Sequence, residues 1–212
     1  MKIRQKKIQE LLIWIYLIGA IGLSVPYTRR YFIYLIPVNL ILAIILLLYY
    51  HQRWNLKFIF LAVFTIAASF LIEMLGVETG EIFGDYTYGK ALGIKWHETP
   101  VIIGINWLLL LYCTYTIAKR IRIHFLFQVL IAALLMTVYD FFLEPVADKL
   151  DMWHWQNRVI PLQNYAAWFG VSLIFLLLFH FLKTDSSNKI ARPLYIIQLV
   201  FFMILYLTLG FI

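Results

Sequence analysis

Seven long apolar runs, set apart by short polar stretches, constrain this chain of 212 residues more than any other feature. They lie at approximately 8–24, 31–50, 57–75, 100–118, 124–140, 165–182 and 193–212. Each is near the ~20 residues that a helix needs to cross the hydrocarbon of a bilayer. Apolar residues make up 63% of the sequence and charged ones 14%, with a mean hydropathy of +0.83, beyond soluble norms. The expected fold is all-α, a polytopic membrane helix bundle of about seven spans forming one domain over residues 1–212. The lipid bilayer is then its first partner.

A net charge of +7 on a soluble chain would suggest nucleic acid. Here the basic residues flank the spans, so they set orientation and no nucleic-acid partner is expected. With the N-terminus inside, twelve lie on one side: Lys2, Arg4, Lys6, Lys7, Arg53, Lys57, Lys119, Arg120, Arg122, Lys183, Lys189 and Arg192. The other six lie opposite, so the positive-inside rule predicts a cytoplasmic N-terminus in the cell (inner) membrane. The basic start resembles a signal peptide, but no small-residue cleavage site follows, and the first run is expected to be a retained helix. A lone Cys113 in an apolar run excludes an intramolecular disulfide and reads as a core thiol.

Connections are short except at 76–99 and 141–164, which join the third run to the fourth and the fifth to the sixth. Both loops therefore emerge on one face, the outer one under this orientation. Nine of the eleven acidic residues lie between Glu73 and Asp151. Glu73 precedes Gly76, a plausible helix stop, while Thr99 and Pro100 read as N-cap and first residue of the next helix. The fifth helix is expected to run out near Glu144, before Pro145, with Asp140 and Glu144 sharing a face of its last turn. The spacing also suggests a duplicated helix pair. Glu73 precedes Tyr86 and Tyr88 by 13 and 15 residues, and Asp140 precedes Trp153 and Trp155 by the same intervals. Pro100 to Trp107 and Pro161 to Trp168 are both seven.

Carboxylates beside hydrocarbon are costly, and intramembrane ionisable groups mark function by default. Helices three and five run in the same direction and bring their partially negative C-terminal ends together, where two carboxylates are hard to ionise. A protonated acid beside Tyr and Trp faces suits protonation of an electron-rich alkene to a cation that π faces stabilise. The bland reading is that a membrane-edge Glu caps loop amides or pairs with Lys90, Lys95 or Arg158, within an ordinary aromatic belt.

The segments Glu73 to Gly80, Ile82 to Tyr88, Asp140 to Pro145, Trp153-His154-Trp155 and Ile160 to Tyr165, with Trp168, resemble the integral-membrane carotenoid-biosynthesis protein family, which includes carotenoid hydratases. The likeness covers about residues 57–182. It implies a carotenoid or related isoprenoid substrate and cofactor-independent addition of water to a terminal double bond of an acyclic carotenoid end. Asp140 is then the first candidate for the acid, with Glu73 or Glu144 as partner and Asp85, between Phe83 and Tyr86, as an alternative. Phe83, Tyr86, Tyr88, Trp107, Trp153, Trp155 and Trp168 would line the end-group pocket, and Asn164 would orient water or cap the sixth helix.

A di-iron hydroxylase would need closely spaced histidines, whereas the five here, at 51, 97, 124, 154 and 180, form no H-x-x-x-H pair. His97 and His154 read as polar loop contacts, and no metal or cofactor is expected. Glu144, Asp148 and Asp151 are a poor match to a magnesium-diphosphate motif, and no Gly-rich nucleotide loop is present. The alternatives are a small transporter or isoprenoid-binding protein with an acidic site, or another isoprenoid-modifying enzyme such as a cyclase. Transport predicts ionisable groups spread through the midplane, whereas these acids gather at one edge.

Overall fold

The computed structural model describes residues 5–209. Lys2 and Arg4 of the basic start, and the end of the last apolar run, lie outside them. Helix α1 (Gln5–Ser24) is followed by α2 (Pro26–Phe32), a 3-10 turn (Ile33–Leu35) and α3 (Ile36–Tyr49), which together make one passage. Pro37 has no N–H to give the carbonyl one turn back, which accounts for the 3-10 interruption. Then come α4 (Leu56–Thr79), α5 (Ile103–Ala118), α6 (Phe125–Lys149), α7 (Leu162–Phe181) and α8 (Ala191–Leu209). Among the described residues, six segments are long and apolar enough to cross a membrane, and α5 is a shorter apolar helix. The chain is an all-α integral membrane protein.

Its core is apolar like that of a soluble bundle, but its surface is apolar too. Trp14, Ile18, Ile45, Phe60, Val63, Leu134, Ile174 and Leu207 are exposed apolar side chains facing outward, as a lipid surround requires. Helix α5 sits at the centre, buried on nearly every side, and packs on α3, α4, α6, α7 and α8. Cys113 lies within it, buried and unpaired.

The helix ends differ from expectation in three places. Helix α4 does not stop at Gly76 but runs to Thr79, and its C-cap is Gly80, whose φ of 69° places it in the left-handed region. Gly76 instead makes room for Phe83, since a Cβ there would stand 2.7 Å from the ring. Helix α6 passes through Pro145 and continues to Lys149. The lost hydrogen bond, about 3 kcal/mol or more in a helix interior, is offset by burying Val146, Ala147 and Leu150. Thr99 and Pro100 do not open α5. They form strand β3 (Thr99–Pro100), paired with β2 (Lys95–Trp96), and α5 begins at Ile103.

The two long loops meet in a second antiparallel ladder, β1 (Tyr86–Tyr88) with β4 (Trp153–Trp155), registered Tyr86 to Trp155 and Tyr88 to Trp153. Side chains alternate across a strand, so Tyr86, Tyr88, Trp153 and Trp155 all point inward while Thr87 and His154 do not.

Candidate active site

Beneath this ladder lie the three buried acids. Glu73, on α4, is 3% exposed and fully engaged. Its Oε2 accepts the Tyr86 hydroxyl at 2.6 Å and the Tyr88 hydroxyl at 2.8 Å, and its Oε1 accepts the Trp107 indole N–H at 2.8 Å. Burial, reinforced by the Glu73 charge, pushes both phenols well above the ordinary tyrosine value, so they act as neutral donors.

Asp140 and Glu144 stand one turn apart on α6, 0% and 2% exposed. Glu144 Oε2 accepts the indole N–H groups of Trp153 at 2.9 Å and Trp155 at 2.6 Å. Asn164, on the first turn of α7, clamps the pair: its Nδ2 donates to Asp140 Oδ2 at 2.8 Å and to Glu144 Oε1 at 2.9 Å. It makes no helix-capping bond, so of its two expected roles the capping one is absent. Asp140 Oδ1 is buried and receives no hydrogen bond from outside the carboxyl pair, where Glu144 is within hydrogen-bonding reach of Asp140. Among the described residues, no Lys, Arg or His forms an ion pair with any of the three.

Aromatic rings close the space around the acids. Trp107 stacks on Trp168 with centroids 4.5 Å apart, Tyr86 lies 5.0 Å from Trp155, and Tyr88 lies 6.0 Å from Trp153. Phe83 meets Tyr86 edge-on at 6.4 Å. Of the acids read from sequence, the structure brings together Glu73, Asp140 and Glu144 and leaves Asp85 out. Asp85 is exposed, its carboxylate beside Gly80 and its carbonyl accepting the Gln156 amide at 2.9 Å. Lys95 pairs with Glu98 at 3.8 Å, not with Glu73.

The histidines of the loops stand apart from the buried acids. His97 is 3.4 Å from Glu78 at the surface. His154 bridges Asp148 at 2.7 Å and Asp151 at 3.0 Å, and those hydrogen bonds hold its pKa above the ordinary value. Slight burial opposes ionisation of Asp151, but the His154 bond and the Lys90 amide outweigh it and hold this carboxyl below its usual range. Among the described residues, no cluster of His, Cys, Asp and Glu is arranged to hold a metal.

Sequence reasoning missed a cavity of about 290 Å³ beside the site. Trp153 and Leu143 form its wall toward the carboxyls, and Tyr16, Asn39, Asn106, Tyr139 and Gln198 interrupt a mostly apolar lining. The available signal was polar side chains inside apolar runs, which are expensive in a membrane and ask for an explanation.

The fold is thus a helical membrane bundle with three buried carboxyls gathered under aromatic rings. Comparison with known families gives it a place: residues 32–212 match the family described as carotenoid biosynthesis protein, and the chain belongs to that family. No curated protein and no solved structure matches it.

Proposed function

We propose that this carotenoid-biosynthesis protein is a hydratase that adds water to a terminal carbon–carbon double bond of an acyclic carotenoid end. The observation that carries the reading is the Asp140–Glu144 pair: two adjoining buried carboxyls, no compensating cation, a shared Asn164 clamp and one open oxygen. Two such groups avoid mutual repulsion by holding one proton between them. Asp140, with the open oxygen, is the donor. Its proton adds to the less substituted alkene carbon, and the π electrons leave a tertiary cation on the other carbon. Trp153, Trp155, Tyr86 and Tyr88 present π faces and edges around it. Water adds to the cation, Glu144 takes the proton that water gives up, and transfer within the pair restores Asp140. The sum is alkene plus water to tertiary alcohol, with no cofactor.

Glu73 has a different part in this scheme. With three donors on two oxygens it fixes Tyr86, Tyr88 and Trp107, and so positions the aromatic wall. The end group reaches the site along the cavity, past Trp153. The twelve-to-six distribution of basic residues supports a cytoplasmic N-terminus and an acid site at the outer face of the cell membrane.

The test is expression in cells that accumulate lycopene, followed by chromatography and mass analysis of the pigments. A product one water heavier, lost in Asp140→Asn, is expected. Unchanged pigment with the protein present in the membrane would refute the assignment.

A further inference from the structure

The cavity contains a polar group that the hydration scheme leaves unused. Gln198, on α8, is 4% exposed and lines the cavity wall. Its Nε2 donates to the Tyr16 hydroxyl on α1 at 2.7 Å, and the Asn39 side chain of α3 lies within hydrogen-bond reach of that hydroxyl. Its Oε1 is buried and has no partner. A buried carboxamide oxygen held this way, among mostly apolar side chains, asks for a donor.

We propose that the cavity is a binding site for the hydroxyl-bearing end of an isoprenoid chain, with Gln198 Oε1 accepting the ligand hydroxyl. The ligand has to be neutral, because the lining contains no charged residue and the free atom is an acceptor, which disfavours an anion. Its body has to be hydrocarbon, because Leu23, Phe32, Leu40, Leu92, Phe201 and Phe202 surround the polar group. At about 290 Å³ the cavity lies at the bottom of the roughly 300–1,000 Å³ range of small-molecule sites, enough for a chain end and not for a whole polyene. The inference takes from the hydratase reading only the source of the alcohol. A tertiary alcohol formed at the carboxyl pair lies just across Trp153 from this cavity, and Gln198 is then the station that draws the product end away from the acids.

Titration calorimetry on the detergent-solubilised full chain tests this, with tetrahydromyrcenol, a saturated tertiary terpene alcohol, and the saturated hydrocarbon of the same skeleton as probes. The wild type should bind the alcohol about tenfold tighter, the worth of one well-made buried hydrogen bond. Gln198→Leu should reduce that preference to about twofold or less while keeping hydrocarbon affinity. Gly19→Leu, which enters the cavity where a Cβ makes only an ordinary 3.5 Å contact with Phe201, should weaken both probes at least about tenfold. Equal affinities in the wild type would mean that Gln198 meets water only and would overturn the proposal. So would a preference that survives Gln198→Leu, or binding unaffected by Gly19→Leu if the first variant does not fold. Neither probe has a double bond, so a failure here leaves the hydration test standing, and a failure of hydration leaves this one standing.

Discussion

Replacing Asn164 with Leu removes the single side chain that joins α7 to both carboxyls of α6 while leaving a side chain of similar bulk. Two hydrogen bonds, at 2.8 and 2.9 Å, are lost. Between membrane helices such bonds average about 0.6 kcal/mol and reach about 1.7, because the unfolded chain in the bilayer finds other partners. Here the upper end applies. Asp140 Oδ2 and Glu144 Oε1 each lose the only donor shown for them, and a buried acceptor left without its donor costs about 1–3 kcal/mol. The expected loss is therefore about 2–3 kcal/mol in total, read from reversible SDS or heat unfolding of the purified chain. The origin of the loss is checked by a double-mutant cycle with Asp140→Leu, which leaves no acceptor for Asn164 Nδ2, and in which the two changes should be sub-additive by about 1 kcal/mol. A loss below about 0.5 kcal/mol, or full additivity, would refute the clamp and with it the argument that the pair is held together by α7.

Asp140→Asn keeps shape and removes the proton, so hydration should fall by at least about 100-fold with little change in the amount of folded protein, measured as pigment conversion per unit of membrane protein. Gly89→Ala places a Cβ 2.1 Å from the Asp151 carbonyl, a backbone atom that cannot turn aside. It should cost about 1–3 kcal/mol and shift the Tyr86–Trp155 ladder, visible as lost protection of the Gly89 and Ala91 amides in hydrogen exchange. The His154 strap predicts a pH dependence. Its raised pKa means that its contribution is fully present below the ordinary 6.5 and fades as pH rises through the folded value. Asp151, held low, contributes above the ordinary 3.8 and loses that contribution as pH falls through its folded value. The gap in unfolding midpoint between wild type and His154→Gln should shrink as pH rises from 6.5, and parallel curves would exclude the strap.

The apolar runs made the helices legible because hydrocarbon thickness and backbone pairing leave few alternatives. The helix ends were not, because local rules lost to packing. Gly76 reads as a stop until Phe83 is seen to need its missing side chain, and Pro145 reads as a break until Val146, Ala147 and Leu150 are seen buried beyond it. Counting loops placed both acidic segments on one face, and the aromatic pairs at equal intervals do meet. The identity of the acceptor was hidden for a related reason. Trp153 and Trp155 stand at the same intervals from Asp140 as the tyrosines from Glu73, yet they donate to Glu144. With α6 extended past Pro145, the chain returns close above its own last turns and reaches the carboxyl one turn further along.

That offset bears on how the two halves divide the chemistry. The antiparallel register of β1 and β4 and the stacked Trp107 and Trp168 set residues of the α4–α5 and α6–α7 hairpins opposite one another. In the second hairpin the aromatic donors occupy Glu144, which leaves Asp140 with an open oxygen and a neighbour able to take a proton. In the first hairpin the corresponding place one turn beyond Glu73 is Val77, and the aromatic donors fall on Glu73 itself. Glu73 and Glu144 each accept three donors, so what separates them is the neighbour: Glu73 has no carboxyl one turn away on its own helix and so no local route to regain a proton. The likeness of the two hairpins thus reaches the walls of the site and stops at the acids. Under the proposed hydration scheme each chain has one reaction centre, at Asp140, and Glu73→Gln should impair hydration by loosening Tyr86 and Tyr88, not by removing the proton.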